Sequence, residues 1–163
     1  MEIKEGKLYF IKDEFIDKYN SKYQLMKNKD KGSKRPTYFC MRDIHNRDML
    51  WFIPMSTQYD KYMKKYIEIK EKIKKEPNNF VLANNIAGRK AVFLLQNMFP
   101  TIEKYIIEEY KRNGQSISIP PVIVREIEEK ARDIFALTKR GFIVTFTNLP
   151  EFIKDIKKEL MNK

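Results

Sequence analysis

One stretch, Met49 to Lys75, constrains the fold more than any other part of the chain. Trp51, Phe52 and Ile53 form a short apolar run that rises into Pro54, and the hydroxyl pair Ser56 and Thr57 follows. In TQYDKYMKKYIEIKEKIKK the residues Tyr59, Tyr62, Met63, Tyr66, Ile69 and Ile73 then recur three or four apart, so a strand hands over to an amphipathic helix with one buried stripe. Thr57 with Asp60 makes a capping-box pattern, which puts the helix start at Thr57 or within a residue of it, and Pro77 ends the helix. A strand that ends in hydroxyls at a helix start is a common way to hold a phosphate, because the unpaired first-turn N–H groups and the helix dipole both favour an anion. The plainer alternative for Ser56 and Thr57 is a helix cap with no further role.

Charge supports the anion reading. Thirty-three Lys plus Arg against 22 Asp plus Glu leave a formal charge of +11 and a pI near 9.6, so a polyanionic partner is expected. Nucleic acid comes first. An acidic membrane surface comes second, but no apolar run approaches the roughly 18 residues of a membrane span. The opening MEIKEGKLYF has no signal-peptide pattern, and a single cysteine, Cys40, excludes an intramolecular disulfide. A cytoplasmic protein is therefore expected, folded as one domain over residues 1–163, a length able to bury roughly 70% of the surface of its unfolded chain.

Along the chain, Leu8 to Ile11 reads as a strand, followed by a helix with Asp13 as N-cap and Phe15, Ile16 and Tyr19 at helical spacing. Residues 27 to 36, KNKDKGSKRP, read as an exposed basic loop. Tyr38 to Ile44 and Met49 to Pro54 form a hairpin turning at His45 to Asp48. Phe80 to Ala83 and Ala91 to Leu95 form a second hairpin around Gly88; Glu103 to Tyr110 fits helix or strand, and Asn113-Gly114, a hairpin dipeptide before Ser116 to Ile119, favours strand. Ile123, Ile127, Ala131, Ile134 and Phe135 define a helix that ends near Gly141. Phe142 to Phe146 reads as a strand, and Leu149 to Leu160 as a final helix.

Several chemistries lack their residues. His45 is the only histidine, which removes a two-histidine acid–base pair, and with one cysteine it leaves no His-rich or Cys-rich metal site. Acidic residues are scattered along helix faces, so a carboxylate Mg²⁺ site has weak support. There is no Gly-rich phosphate loop and no GxSxG elbow. Cofactors and metals are accordingly not expected. The candidate RNA contacts are Lys27, Lys29, Lys31, Lys34 and Arg35 in the basic loop, with Gln58, Lys64 and Lys65 beside the hydroxyl pair. Tyr38 and Tyr59 lie next to these cations and are candidates for base stacking or phosphate contact, although either could be packing.

The order LYFI-x-x-x-FI, KRPTY, WFIPMST with Lys61 following, and QNMFP resembles the ToxN, AbiQ and CptN family of type III toxin–antitoxin endoribonucleases, most closely its CptN and AbiQ branch. The resemblance runs from Leu8 to the last helix. It implies an α+β fold, a strongly bent antiparallel sheet like the small barrel of the MazF and Kid toxins, elaborated with about four helices. It implies metal-independent cleavage of A-rich cellular or phage RNA, and inhibition by a small repeat-derived RNA pseudoknot that the toxin processes and then binds in a cyclic assembly. Several members abort phage infection, and no protein antitoxin is implied. By motif, Ser56 and Thr57 match the family's active-site hydroxyls. Some members carry Lys two positions after the pair; here that position is Tyr59, and Lys61 is the nearest lysine.

The expected reaction is attack of a ribose 2′-hydroxyl on the adjacent phosphate, leaving a 2′,3′-cyclic phosphate and a 5′-hydroxyl. Ser56 and Thr57 would orient the phosphate, Lys61 and Arg35 would stabilise its charge, and Tyr38, Tyr59 and His45 are candidates for the general base. The alternative is an RNA-binding module without chemistry, in which the hydroxyls anchor a backbone phosphate. A toxin of the same barrel type neutralised by a protein is a third possibility.

Overall fold

The structure is a computed structural model that describes residues 1–30 and 33–162. The elements follow in the order β1 (Leu8–Ile11), α1 (Asp13–Tyr23), β2 (Lys29–Asp30), β3 (Ser33–Lys34), β4 (Thr37–Arg42), β5 (Leu50–Ser56) and α2 (Tyr59–Ile73). Then come β6 (Val81–Ile86), β7 (Arg89–Phe93), β8 (Phe99–Thr101), β9 (Ile106–Glu109), β10 (Lys111–Arg112), β11 (Gln115–Ser116), α3 (Pro121–Lys139) and α4 (Leu149–Met161).

Seven strands make one antiparallel sheet in the order β6-β7-β5-β4-β1-β9, with β8 also paired to β5. The sheet is open, because β6 and β9 end the path without pairing to each other. The architecture is therefore α+β with four helices, as expected, and the sheet does not close into a barrel.

β5 is the hub. It pairs with β4 along its length, with β8 near its start and with β7 at its end. All seven of its residues are buried, which explains why it reads as a continuous apolar run instead of alternating. Successive side chains point to opposite faces. Trp51 packs on Phe135 of α3, while Phe52 stacks on Phe39 and Phe99 and leads through Phe15 of α1 to Phe152 of α4. Helices thus cover both faces. The Phe152 ring lies 4.0 Å from that of Tyr23, nearly parallel, which joins α4 to α1.

Two hairpin tips are tight two-residue turns. Ala87 and Gly88 have φ of 51° and 85°, and Asn113 and Gly114 have 51° and 76°. Positive φ at both positions is the turn geometry that matches the twist of an antiparallel pair.

Several local expectations differ from the structure: the strand expected at Ser116 to Ile119 is only Gln115–Ser116, and Glu103–Tyr105 is a 3-10 turn ahead of β9. Phe142 to Phe146 is not a strand: after Gly141 ends α3 at φ 88°, the segment is irregular, and the Phe146 N–H donates to the Gln96 carbonyl at 3.0 Å instead of joining a ladder. The α2 stripe is shallow. Tyr62 alone of it is buried, in a small cluster with Phe80, Val92 and Leu94, and Ile73 at the end of the helix is exposed. Residue 12, not Asp13, is the N-cap of α1, and α2 begins at Tyr59 with Gln58 as its N-cap. The basic loop also contains the short β2–β3 ladder.

Candidate functional site

Ser56 is the last residue of β5 and lies opposite Val92 in β7. Its side chain is buried, and its Oγ accepts the Gln58 N–H at 3.1 Å. Thr57 is exposed, and its carbonyl accepts the Tyr59 N–H at 2.8 Å. The Ser56 hydroxyl thus braces the turn before the helix, and the N-cap, Gln58, lies within a residue of the expected start with no side-chain cap bond. A serine hydroxyl carries one O–H and two lone pairs, so accepting from the backbone leaves the O–H able to donate elsewhere.

A groove of about 400 Å³ opens over this strand end. Pro36, Met55, Ser56 and Thr57 lie along it. One side is the β6–β7 turn from Ile86 to Ala91; the other is Leu8 and Phe10 of β1 with Tyr110, Arg112 and Ile117. Among the described residues four cations line it, Lys34, Arg89, Lys90 and Arg112, and no carboxylate does. A concave site lined by charge of one sign concentrates the field and suits an extended polyanion. The Lys90 ammonium also lies 5.1 Å from the ring centre of Tyr59, at the start of α2. Arg112 Nη1 donates to the Ala87 carbonyl, which links the two hairpin tips across the groove.

The residues expected from the sequence are distributed unevenly around this groove. Ser56, Thr57 and Lys34 line it, and Tyr59 stands beside it. Arg35 is buried, not displayed on a loop: Nε donates to the Lys27 carbonyl at 3.0 Å and Nη1 to the Met55 carbonyl at 2.6 Å. It braces the strand end from behind. Tyr38 is 2% exposed and packs edge-on against Phe93, and burial pushes its hydroxyl well above the ordinary tyrosine range. That disfavours a proton-accepting role, and we assign Tyr38 to the core.

His45 is exposed in the turn before β5, at the opposite end of the strand from Ser56. Seven residues at about 3.3 Å each put it roughly 20 Å from the hydroxyl pair. Lys61 is exposed, 5.6 Å from the ring centre of Tyr62, and is not on the groove. Lys65 covers the same ring at 5.1 Å, Lys64 is exposed on α2, and Gln58 is exposed at the helix start. Lys27 and Lys29 are exposed outside the groove; Lys31 lies outside the described residues.

Three groove cations, Arg89, Lys90 and Arg112, were not expected from the sequence. Each adjoins a glycine turn, in AGRK and in KRNG. The turns are legible, but that the two tips face each other depends on the strand order. Among the described residues no group of three or more His, Cys, Asp or Glu could hold a metal ion, and no helix is long and apolar enough to cross a membrane.

No family model matches the chain, and no curated protein matches its sequence. Solved structures do match its fold. One belongs to a bacterial type III toxin–antitoxin system with selective toxin inhibition by a non-coding RNA pseudoknot; identity is 16%, the TM-score 0.65, and the match covers 96% of this chain and 98% of that one. A second is AbiQ, a lactococcal anti-phage endoribonuclease of a type III toxin–antitoxin system, at 13% identity and TM-score 0.60 over 95% and 98% of the two chains. A third belongs to a bacterial antiviral system regulated by a processed non-coding RNA, at 13% identity and TM-score 0.65 over 93% and 97%. The chain has the fold of these proteins along nearly its whole length, and the likeness does not single out one branch.

Proposed function

We propose that the chain is the endoribonuclease toxin of a type III toxin–antitoxin system, acting in the cytoplasm and protecting against phage by aborting infection. It cuts A-rich cellular or phage RNA without a metal ion. Its antitoxin is a small RNA pseudoknot that it processes from a repeat precursor and then binds in a cyclic protein–RNA assembly. The observation that carries this reading is the Ser56–Thr57 pair on a groove lined by four cations, set in a fold shared with such toxins.

In the proposed reaction the 2′-oxygen of a ribose bonds to the adjacent phosphorus as the bond from phosphorus to the 5′-oxygen breaks. The 2′-hydroxyl loses a proton and the departing 5′-oxygen gains one, giving a 2′,3′-cyclic phosphate and a 5′-hydroxyl. Ser56 and Thr57 donate to the non-bridging oxygens, on which negative charge grows. Lys34, Lys90 and the two arginines stabilise that charge, in place of Lys61 and Arg35. Of the three candidate bases Tyr59 alone remains near the groove, beside Lys90.

The test incubates the purified protein with A-rich RNA in EDTA and maps the ends. Cleavage to cyclic phosphate is expected. RNA that is bound but stays intact favours the binding module, and cleavage that requires Mg²⁺ rejects the mechanism. A short tandem repeat just upstream of the coding sequence is expected as the antitoxin source, and its absence argues for a different antitoxin.

A further inference from the structure

We propose that Phe10 and Tyr110 form a stacking subsite for an unpaired nucleobase next to the phosphate held at Ser56 and Thr57, and that this subsite favours a purine. The proposal rests on the RNA-cleaving reading and adds the part of the groove that reads the base.

In β1 the neighbours Leu8, Tyr9 and Ile11 are buried, whereas Phe10 is only half-buried. Its position follows from the register. Tyr9 pairs with Thr37, and Thr37 with Pro54, so the next row holds Phe10, Pro36 and Met55, and all three line the groove. Tyr110 is held beside β1 by its N–H, which donates to the Leu8 carbonyl at 2.8 Å. It too is half-buried, and its ring centre lies 5.4 Å from that of Phe10 at a tilt of 47°.

The pair is thus the aromatic part of a groove whose lining combines apolar side chains with cations. β1 and β5 are two strand spacings apart, about 10 Å, the reach of a neighbouring nucleotide. Cations along a backbone with aromatic rings beside them is the arrangement that binds single strands, since every base presents a π-face. Stacking strength then supplies a modest preference for the larger purine face.

The test uses a 2′-O-methyl A-rich oligomer, which lacks the nucleophile, with 2-aminopurine placed at successive positions. With the wild-type protein, fluorescence is expected to be quenched on binding at one position. Phe10→Leu and Tyr110→Leu should lose that quench and bind about 10-fold more weakly. Tyr110→Phe keeps the ring and should keep the quench. On cleavable RNA the Leu variants should show a raised KM with little change in kcat, and a reduced preference for A over U at that position.

Binding with no quench at any position, or equal quench in wild type and both Leu variants, overturns the subsite. If wild-type protein leaves native RNA uncut while the Leu variants still lose the quench, the cleavage reading fails and the subsite stands. Absence of RNA binding rejects both.

Discussion

The Arg35 guanidinium donates through Nη1 to the Met55 carbonyl oxygen at 2.6 Å, one residue before Ser56, and through Nε to the Lys27 carbonyl. A residue that reads as part of a solvated basic run is therefore a brace between that run and the strand that carries the hydroxyls. Hydrogen bonds from a charged donor are worth about 1.5 to 3 kcal/mol, and Lys does not reproduce the forked geometry of Arg. Arg35→Ala and Arg35→Lys should both lower the melting temperature, by about 6 °C for Ala. Both should also slow cleavage, because Ser56 loses its support. Thermal melting together with single-turnover cleavage checks this; a variant of full stability and full rate would remove the brace from the account.

Ser56 and Thr57 should both be needed for cleavage. Removing one donor to a developing oxyanion costs about 10²- to 10³-fold in rate, so either Ala variant should cut RNA at least about 100-fold more slowly. Ser56→Ala also gives up the bond from Gln58 N–H and should be destabilised by about 1 kcal/mol. His45→Ala, at the far end of β5, should cleave at the wild-type rate.

The salt dependence of binding locates the working cations. Each phosphate contact on single-stranded RNA contributes a slope of about −0.7 to log affinity against log salt. Lys90→Ala, Arg89→Ala and Lys34→Ala should each make the slope shallower by about that amount, and Lys61→Ala should leave it unchanged. Titrations at several salt concentrations test this. The opposite pattern would move the RNA path from the groove to α2.

At the far side of the fold, Glu159 ties α4 to α1. Its carboxylate accepts from Tyr19 and Lys18 on one oxygen and from Tyr105 at 2.7 Å on the other, where Lys104 also approaches to 3.0 Å. Burial alone would raise its pKa from the ordinary 4.5, but the hydrogen bonds from Lys18, Tyr19, Tyr105 and Lys104 bring it down to about 2. A depressed carboxylate pKa contributes stability that is complete above the unfolded value, near 4.5, and is lost as pH falls toward 2. Melting temperature should therefore fall across that window. Glu159→Gln should melt about 6 °C lower near neutral pH and show a flatter acid limb.

How much of this was legible in the sequence depended on whether the signal was local. β5 and the turns at Gly88 and Asn113-Gly114 were readable, because apolar runs and positive-φ residues act within a few positions. The Phe142 to Phe146 segment has strand-like composition, yet a strand exists only where a neighbour offers a ladder, and composition does not encode that. Arg35 misled for a related reason: its charge says solvent, and only the backbone carbonyls around it show how it is satisfied when buried. The site was half legible. Ser56 and Thr57 follow from one strand–helix junction, whereas Arg89, Lys90 and Arg112 arrive from hairpins far along the chain and meet the hydroxyls through the sheet order.

The burial of β5 from Leu50 to Ser56 sets which parts of this protein can diversify. A substitution there disturbs packing on both sides of the sheet, so the element carrying the hydroxyls has little room to drift. Arg89 and Lys90, flanking the β6–β7 turn, are exposed and can exchange charges at little cost to folding, whereas Arg112 also holds the Ala87 carbonyl. Ser56 and the flanking cations are thus mounted on parts with very different freedom to mutate. A lineage built on this plan can vary the charges around the groove while the buried strand end beneath it stays in place.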